Sequence, residues 1–218
     1  MCGFCGIYFK DKSRHADQRL IKAMADRLYH RGPDDSGEYV QNNLGLGFRR
    51  LSIVDLAGGH QPMANGDDSI WIVYNGEIYN HLEIRKTLEG KGYKYRTKCD
   101  TESIIHAYEE YGEDCVHHLR GMFAFAIYDR NKDKLFIVRD RLGIKPLYYY
   151  DCKDYITFGS EIKSILAFDE VPRELNREAL AEQMALKYTL DDQTLFKGVK
   201  KLMPGHTDRK STRLNSSH

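Results

Sequence analysis

The sequence predicts an α+β layered sandwich built on antiparallel strands, and three patterns point to it. Apolar, β-type runs come in pairs joined by short turn segments, as in MFAFAIYD and KLFIVRD linked by RNKD, or PLYYYD followed by YITFGS. Segments with helical spacing fall between such pairs and not after every strand, which argues against a doubly wound parallel sheet. At 218 residues the chain is long enough to bury a sizeable core.

Residues 3–9 are apolar and aromatic, with glycines where backbones can approach, and read as a strand. Leu20, Ile21, Met24 and Leu28 recur at helical spacing within 16–28. HRGPDDSG (30–37) gathers Gly, Pro, Asp and Ser and breaks that helix. Strands are expected at 37–41, 44–50 and 69–75, with the long polar loop DLAGGHQPMANGDD before the last. A helix over 80–92 carries Leu82, Arg85 and Leu88 and stops at glycine. A second, over 100–112, has Asp100 or Thr101 as its N-cap. The two hairpins follow, then helices near 160–167 and 176–187, and the domain is expected to end at about 206. Residues 207–218 hold one leucine among polar and basic residues, and are expected to form a disordered or non-native tail.

Lys and Arg total 33 against 32 Asp and Glu, a balance that argues against a nucleic-acid surface. The apolar runs are too short to span a bilayer, and the first residues lack the charged and apolar regions of a secretory signal. No membrane or nucleic-acid partner is therefore expected, and the expected compartment is the cytoplasm. Five cysteines, an odd number, give no disulfide framework in that compartment. Cys2 and Cys5 form a C-x₂-C pair, but zinc would need a second ligand pair at similar spacing, and the sequence offers none. A redox pair of this spacing normally opens a helix, whereas GFCGIYF reads as a strand.

Cys2 has a chemistry of its own if Met1 is removed, which a small second residue permits. It would then carry a thiol and an α-amine together, and an unperturbed α-amine titrates at about 7.7–8.0. Such an amine can act as base to its own side-chain nucleophile. A thiolate attacking an amide produces an oxyanion that needs preorganised donors, and YNGEIYN (74–80) offers the Asn75 amide and the unobstructed Gly76 N–H. By spacing alone, Asn-Gly also reads as a two-residue hairpin turn. Arg50 could pair with a substrate carboxylate, and Glu77 and Asp100 could hold an ammonium group. Taken singly, the same three residues read as a surface arginine, a solvated turn glutamate and a helix cap.

The ordered set MCGFCGIY, HRGPDDSG, RRLSIVDL, GHQPM, YNGEIYNH, CDTESII, LRGMFAFAIYD, RDRLGIKPLYY and GSEIKSIL changes that balance. It resembles the glutaminase domain of glutamine-hydrolysing asparagine synthetases over residues 2 to about 206. The resemblance implies a class II glutamine amidotransferase with the N-terminal-nucleophile hydrolase fold, a four-layer αββα sandwich of two antiparallel sheets. It implies Cys2 as nucleophile, Asn75 and Gly76 as oxyanion donors, and Arg50 as the carboxylate-binding residue. The segment Leu51, Ser52, Ile53 and Val54 would line the glutamine pocket, with Glu77 and Asp100 on the substrate ammonium. Cys5 is expected to be a small buried hydrophobe, and Arg31 and Asp34 at the pocket rim read equally well as loop residues. L-Glutamine is the implied substrate, and a homodimer is an arrangement open to the family. No metal or cofactor is implied for this domain. The family's second domain would bring ATP, Mg and a phosphate loop, and neither a serine-glycine-glycine loop nor G-x-x-x-x-G-K-[ST] occurs here. A C-terminal synthetase domain is thus an expected partner absent from this chain. Aminosugar-phosphate and phosphoribosylamine-forming amidotransferases, or a truncated non-catalytic fragment, remain the alternative readings.

Overall fold

A computed structural model describes residues 1–51 and 59–211. The first part of the chain forms β1 (Gly3–Phe9), α1 (Gln18–Asp26), β2 (Asp35–Gln41) and β3 (Leu44–Arg50). Next come β4 (Met63–Ala64), β5 (Ile70–Ile78), α2 (His81–Gly90), α3 (Asp100–Tyr111) and the short α4 (Cys115–His118). β6 (Gly121–Asp129) and β7 (Lys134–Arg139) form one hairpin, and β8 (Tyr148–Asp151) and β9 (Tyr155–Gly159) the other. α5 (Ile162–Ile165), α6 (Arg177–Leu186), β10 (Val199–Lys201) and β11 (Thr207–Ser211) complete the described chain.

The strands make two sheets, in the orders β10-β8-β9-β1-β3-β2 and β11-β7-β6-β5-β4, with every pairing antiparallel. Strand periodicity assigns each side chain to a layer, because alternate residues point to opposite faces. Phe4 and Tyr8 of β1, Leu44, Leu46 and Phe48 of β3, and Val73, Ala124 and Ala126 of the second sheet share one core between the sheets. Cys5, Ile7 and Phe9 point the other way and pack with Ile21, Met24 and Leu28 in and after α1. Ile72, Tyr74 and Ile78 pack outward with α2 and α3 through Ile84, Leu88, Ile104 and Ile105. The layers are therefore helix, sheet, sheet and helix, the expected four-layer sandwich.

Several local expectations need correction. The strand expected at 69–75 runs to Ile78, because the nine-residue β6 pairs with it from Ile70↔Asp129 to Ile78↔Gly121. Asn75-Gly76 therefore lies within a strand and is not a hairpin turn, nor does Glu77 sit in a turn. The N-cap of α3 is Cys99, and Asp100 is the first helical residue, its carboxylate engaged elsewhere. Leu82 is exposed on α2, whose inward side is carried by Ile84 and Leu88. α5 is a single turn within the longer helix expected at 160–167. Residues 207–211, expected to begin a tail, form β11 along β7. An edge strand is held by backbone bonds and needs no apolar signature, which is why composition did not mark it. Residues 212–218 lie outside the described residues.

Candidate active site

The same periodicity that builds the core brings the candidate residues together at one end of the space between the sheets. Cys2 precedes β1 in phase with Phe4 and packs against the inter-sheet core. Arg50 ends β3 in phase with Leu46 and Phe48, and Asn75 and Glu77 on β5 are in phase with Val73. A cavity of about 290 Å³ opens there, lined by Cys2, Arg50, Leu51, Asn75, Gly76, Glu77 and Asp100 among others. Ser52, Ile53 and Val54 lie outside the described residues.

The Cys2 thiol is half-buried, with Sγ 3.8 Å from the Leu51 carbonyl. Its own carbonyl accepts a 2.9 Å bond from Arg31 Nε, while Arg31 Nη1 reaches Glu161 at 2.9 Å. Burial alone would raise the Glu161 carboxyl, but bonds from Arg31, His30 and Lys163 outweigh it and hold it below the usual range. HRGPD therefore acts through the backbone: Arg31 holds Cys2, and Asp34 N donates to the Arg50 carbonyl at 3.0 Å. A Cβ on Gly32 would come within 2.5 Å of the Arg50 backbone, so glycine permits this crossing. Cys5, by contrast, is fully buried against α1, and burial pushes its thiol far above the ordinary range. It is packing, as expected.

Asn75 is 3% exposed, and its Nδ2 has no hydrogen-bond partner among the described residues. A buried amide donor left unpaired costs roughly 1–3 kcal/mol, so this one is poised for an acceptor entering the cavity. Gly76 sits so close to β6 that a Cβ would come within 2.3 Å of the Met122 carbonyl. Arg50 is 7% exposed, and an added Cβ on Gly59 would meet its guanidinium at 2.4 Å. Asp100 Oδ2 accepts from Tyr74 Oη at 2.6 Å and from Ile78 N at 2.9 Å, and Oδ1 takes no further bond among the described residues. The Glu77 carboxyl is raised, first by burial and then by the Asp100 charge, with Lys145 and His81 opposing. Tyr74 is pushed well up, by burial first and then by Asp100. Two carboxylates facing one cavity make a place for a cation such as an ammonium group.

Sequence reasoning did not single out Gln61 or Lys145. Gln61 Oε1 accepts from Tyr74 N at 2.6 Å and so links the loop before β4 to β5. Both lie in motifs already quoted, GHQPM and RDRLGIKPLYY, but nothing in their spacing says that they face a cavity. Among the described residues no group of three or more His, Cys, Asp or Glu is placed to hold a metal ion. No helix among them is long and apolar enough to cross a membrane.

Comparison with known proteins gives the family of the chain. The family described as glutamine amidotransferase domain matches residues 1–217. Asparagine synthetase [glutamine-hydrolyzing] 1 of Bacillus subtilis (strain 168) is 44% identical over 208 residues, covering 94% of this chain and 33% of that protein. Asparagine synthetase [glutamine-hydrolyzing] 3 of the same organism is 41% identical over 209 residues, covering 94% and 34%. The chain thus spans about a third of the length of these curated relatives. Among solved structures, glutamine phosphoribosylpyrophosphate amidotransferase from B. subtilis superposes with a TM-score of 0.64 at 17% identity, covering 98% of this chain and 50% of that one. That likeness concerns the fold alone, a sandwich of two antiparallel sheets. With a family match across nearly its whole length and relatives above 40% identity, the chain belongs to the class II glutamine amidotransferase domain family.

Proposed function

We propose that this domain hydrolyses L-glutamine to glutamate and ammonia, with Cys2 as nucleophile after removal of Met1. The observation that carries the reading is the buried Asn75 amide, unpartnered among the described residues, in a cavity also lined by Cys2, Arg50, Glu77 and Asp100. Arg50 pairs with the substrate α-carboxylate, and Glu77 with Asp100 Oδ1 receives the α-ammonium. The Cys2 α-amine takes the thiol proton, and Sγ attacks the side-chain amide carbon. The carbonyl electrons move to oxygen, where the Asn75 amide and the Gly76 N–H donate to the oxyanion. Collapse breaks the C–N bond, ammonia leaves with the proton held by the amine, and a γ-glutamyl thioester remains. Water then attacks the thioester, releasing glutamate and restoring the thiol.

In a longer parent chain the ammonia would serve ATP-dependent, Mg-assisted amidation of aspartate by a synthetase domain. The relatives' names and the partial coverage of their length support that extension. Ligase chemistry and a cytoplasmic location belong to the same proposal, while no residue of this chain is assigned to ATP or Mg. The test incubates protein whose loss of Met1 is verified by intact mass with glutamine and follows glutamate. Cys2→Ala should lose activity by roughly 10⁴-fold or more, and Met1-retaining protein should be equally inert. Equal rates for wild type and Cys2→Ala would overturn the assignment.

A further inference from the structure

Lys145 has no role in the mechanism above, yet it lines the same cavity and is only 6% exposed. Its backbone is fastened from two sides. Lys145 N donates to Asp140 Oδ2 at 3.1 Å, and the same buried carboxylate accepts from Leu142 N and Ile144 N at 3.0 and 3.1 Å. From the other side Arg139 donates to the carbonyls of Lys145, Gly143 and Leu202 at 2.7–2.8 Å. None of these bonds involves Met1, so the loop keeps its place when Met1 is removed.

The side chain contrasts with that backbone. Among the described residues the ammonium has a single hydrogen-bond contact, the Met1 thioether sulfur at 3.7 Å. Glu77 feels its charge, but no carboxylate among the described residues forms an ion pair with it. A buried ammonium with three donors is thus matched to one weak acceptor, on a residue adjacent to Cys2. Loss of Met1 removes that acceptor and creates an amine at the next residue.

We propose that Lys145 is a positioning residue for the Cys2 amine: its charge, carried on a fastened backbone beside the vacated Met1 position, disfavours the ammonium form and keeps the amine able to accept the thiol proton. The inference rests on the reading of Cys2 as an N-terminal nucleophile. Like charges in a partly desolvated site oppose each other's protonation. Arg31, on the Cys2 carbonyl, and Arg50, at the end of β3, act in the same direction, as do Lys98 before α3 and His81 when protonated. Glu77 on β5 and Asp100 on α3 act against it, with Tyr74 and Cys99 completing the titratable lining. Asp100 is already engaged by Tyr74 and Ile78, and Glu77 is exposed to solvent, which weakens their opposition.

The test is the pH dependence of kcat/KM for glutamine with Met1-free protein, because its rise with pH reports the base in the free enzyme. Lys145→Met should move that rise to higher pH by about one unit, so that activity falls roughly five- to tenfold at pH 7 and recovers near pH 9. Lys145→Arg should keep the wild-type curve, and thermal melts of both variants check the fold. A rise left in place, or a change in KM alone, overturns the proposal, since a loop prop or a partner for Glu77 would act in that way. Cys2→Ala in the same assay separates the two readings: an inactive wild type overturns the glutaminase assignment itself.

Discussion

The two ends of the inter-sheet space are built from the same strands but treat their polar groups in opposite ways. At the end where β1 finishes, Asp133 accepts bonds from Tyr8 and Tyr128 at 3.2 and 3.0 Å and pairs with Lys12 at 2.7 Å. Burial first, and then the Asp133 charge, pushes the Tyr128 hydroxyl up, so it stays a neutral donor. At the end where β1 begins, Asn75 keeps an amide unpartnered among the described residues, Glu77 is raised by burial and Asp100, and Lys145 rests on a thioether. Satisfied polar groups close a layer; unsatisfied ones, held by a rigid frame, wait for a ligand. The contrast agrees with the placement of the proposed site at the end where β1 begins.

The sharpest test of this contrast is Asn75→Ala. It should lower kcat by about 100- to 1,000-fold with little change in KM, since the donor is engaged chiefly in the transition state. A kcat within threefold of wild type would mean that the unpaired amide is not aimed at the oxyanion. Arg50→Leu should act on binding instead, raising KM for glutamine by about 30-fold or more through loss of a charge-assisted pair. Steady-state kinetics separates these two outcomes.

Asp133→Asn probes the opposite end. It keeps an acceptor and tolerates the positive φ of 47° at that position, so it should cost only about 1 kcal/mol in a melt and leave kcat and KM unchanged. A kinetic defect there would break the division between the ends.

The smallest effect is expected of Glu77→Gln. A carboxyl raised in the folded state gives stability that is present below its ordinary range and lost as pH rises through the folded value. At neutral pH the charged Glu77 is therefore a cost to the fold, reduced by its exposure. Glu77→Gln should raise Tm by about 1 °C or less at pH 7, with the gain vanishing near pH 4, while KM for glutamine increases. A lower Tm at pH 7 would show that Glu77 is a structural residue.

Much of this was legible in the chain itself. Alternation in GFCGIYF, LGLGFRR and IWIVYNGEI is a strand property, and once these are strands, Cys2, Arg50, Asn75 and Glu77 must share a face with the inter-sheet core. The position of Cys2, next to Met1, likewise carries its chemical potential without any tertiary information. Periodicity could not say that Asn75-Gly76 continues a strand, because its local turn preference yields only to the nine-residue partner β6. Nor could it tell that Asp100 bonds Tyr74 and Ile78 instead of capping α3, that Arg31 grips the Cys2 carbonyl, or that Lys145 turns into the cavity. Those outcomes depend on contacts between residues 22 to 144 positions apart. Local pattern decides which face a side chain takes; only the packing of the two sheets decides what it meets there.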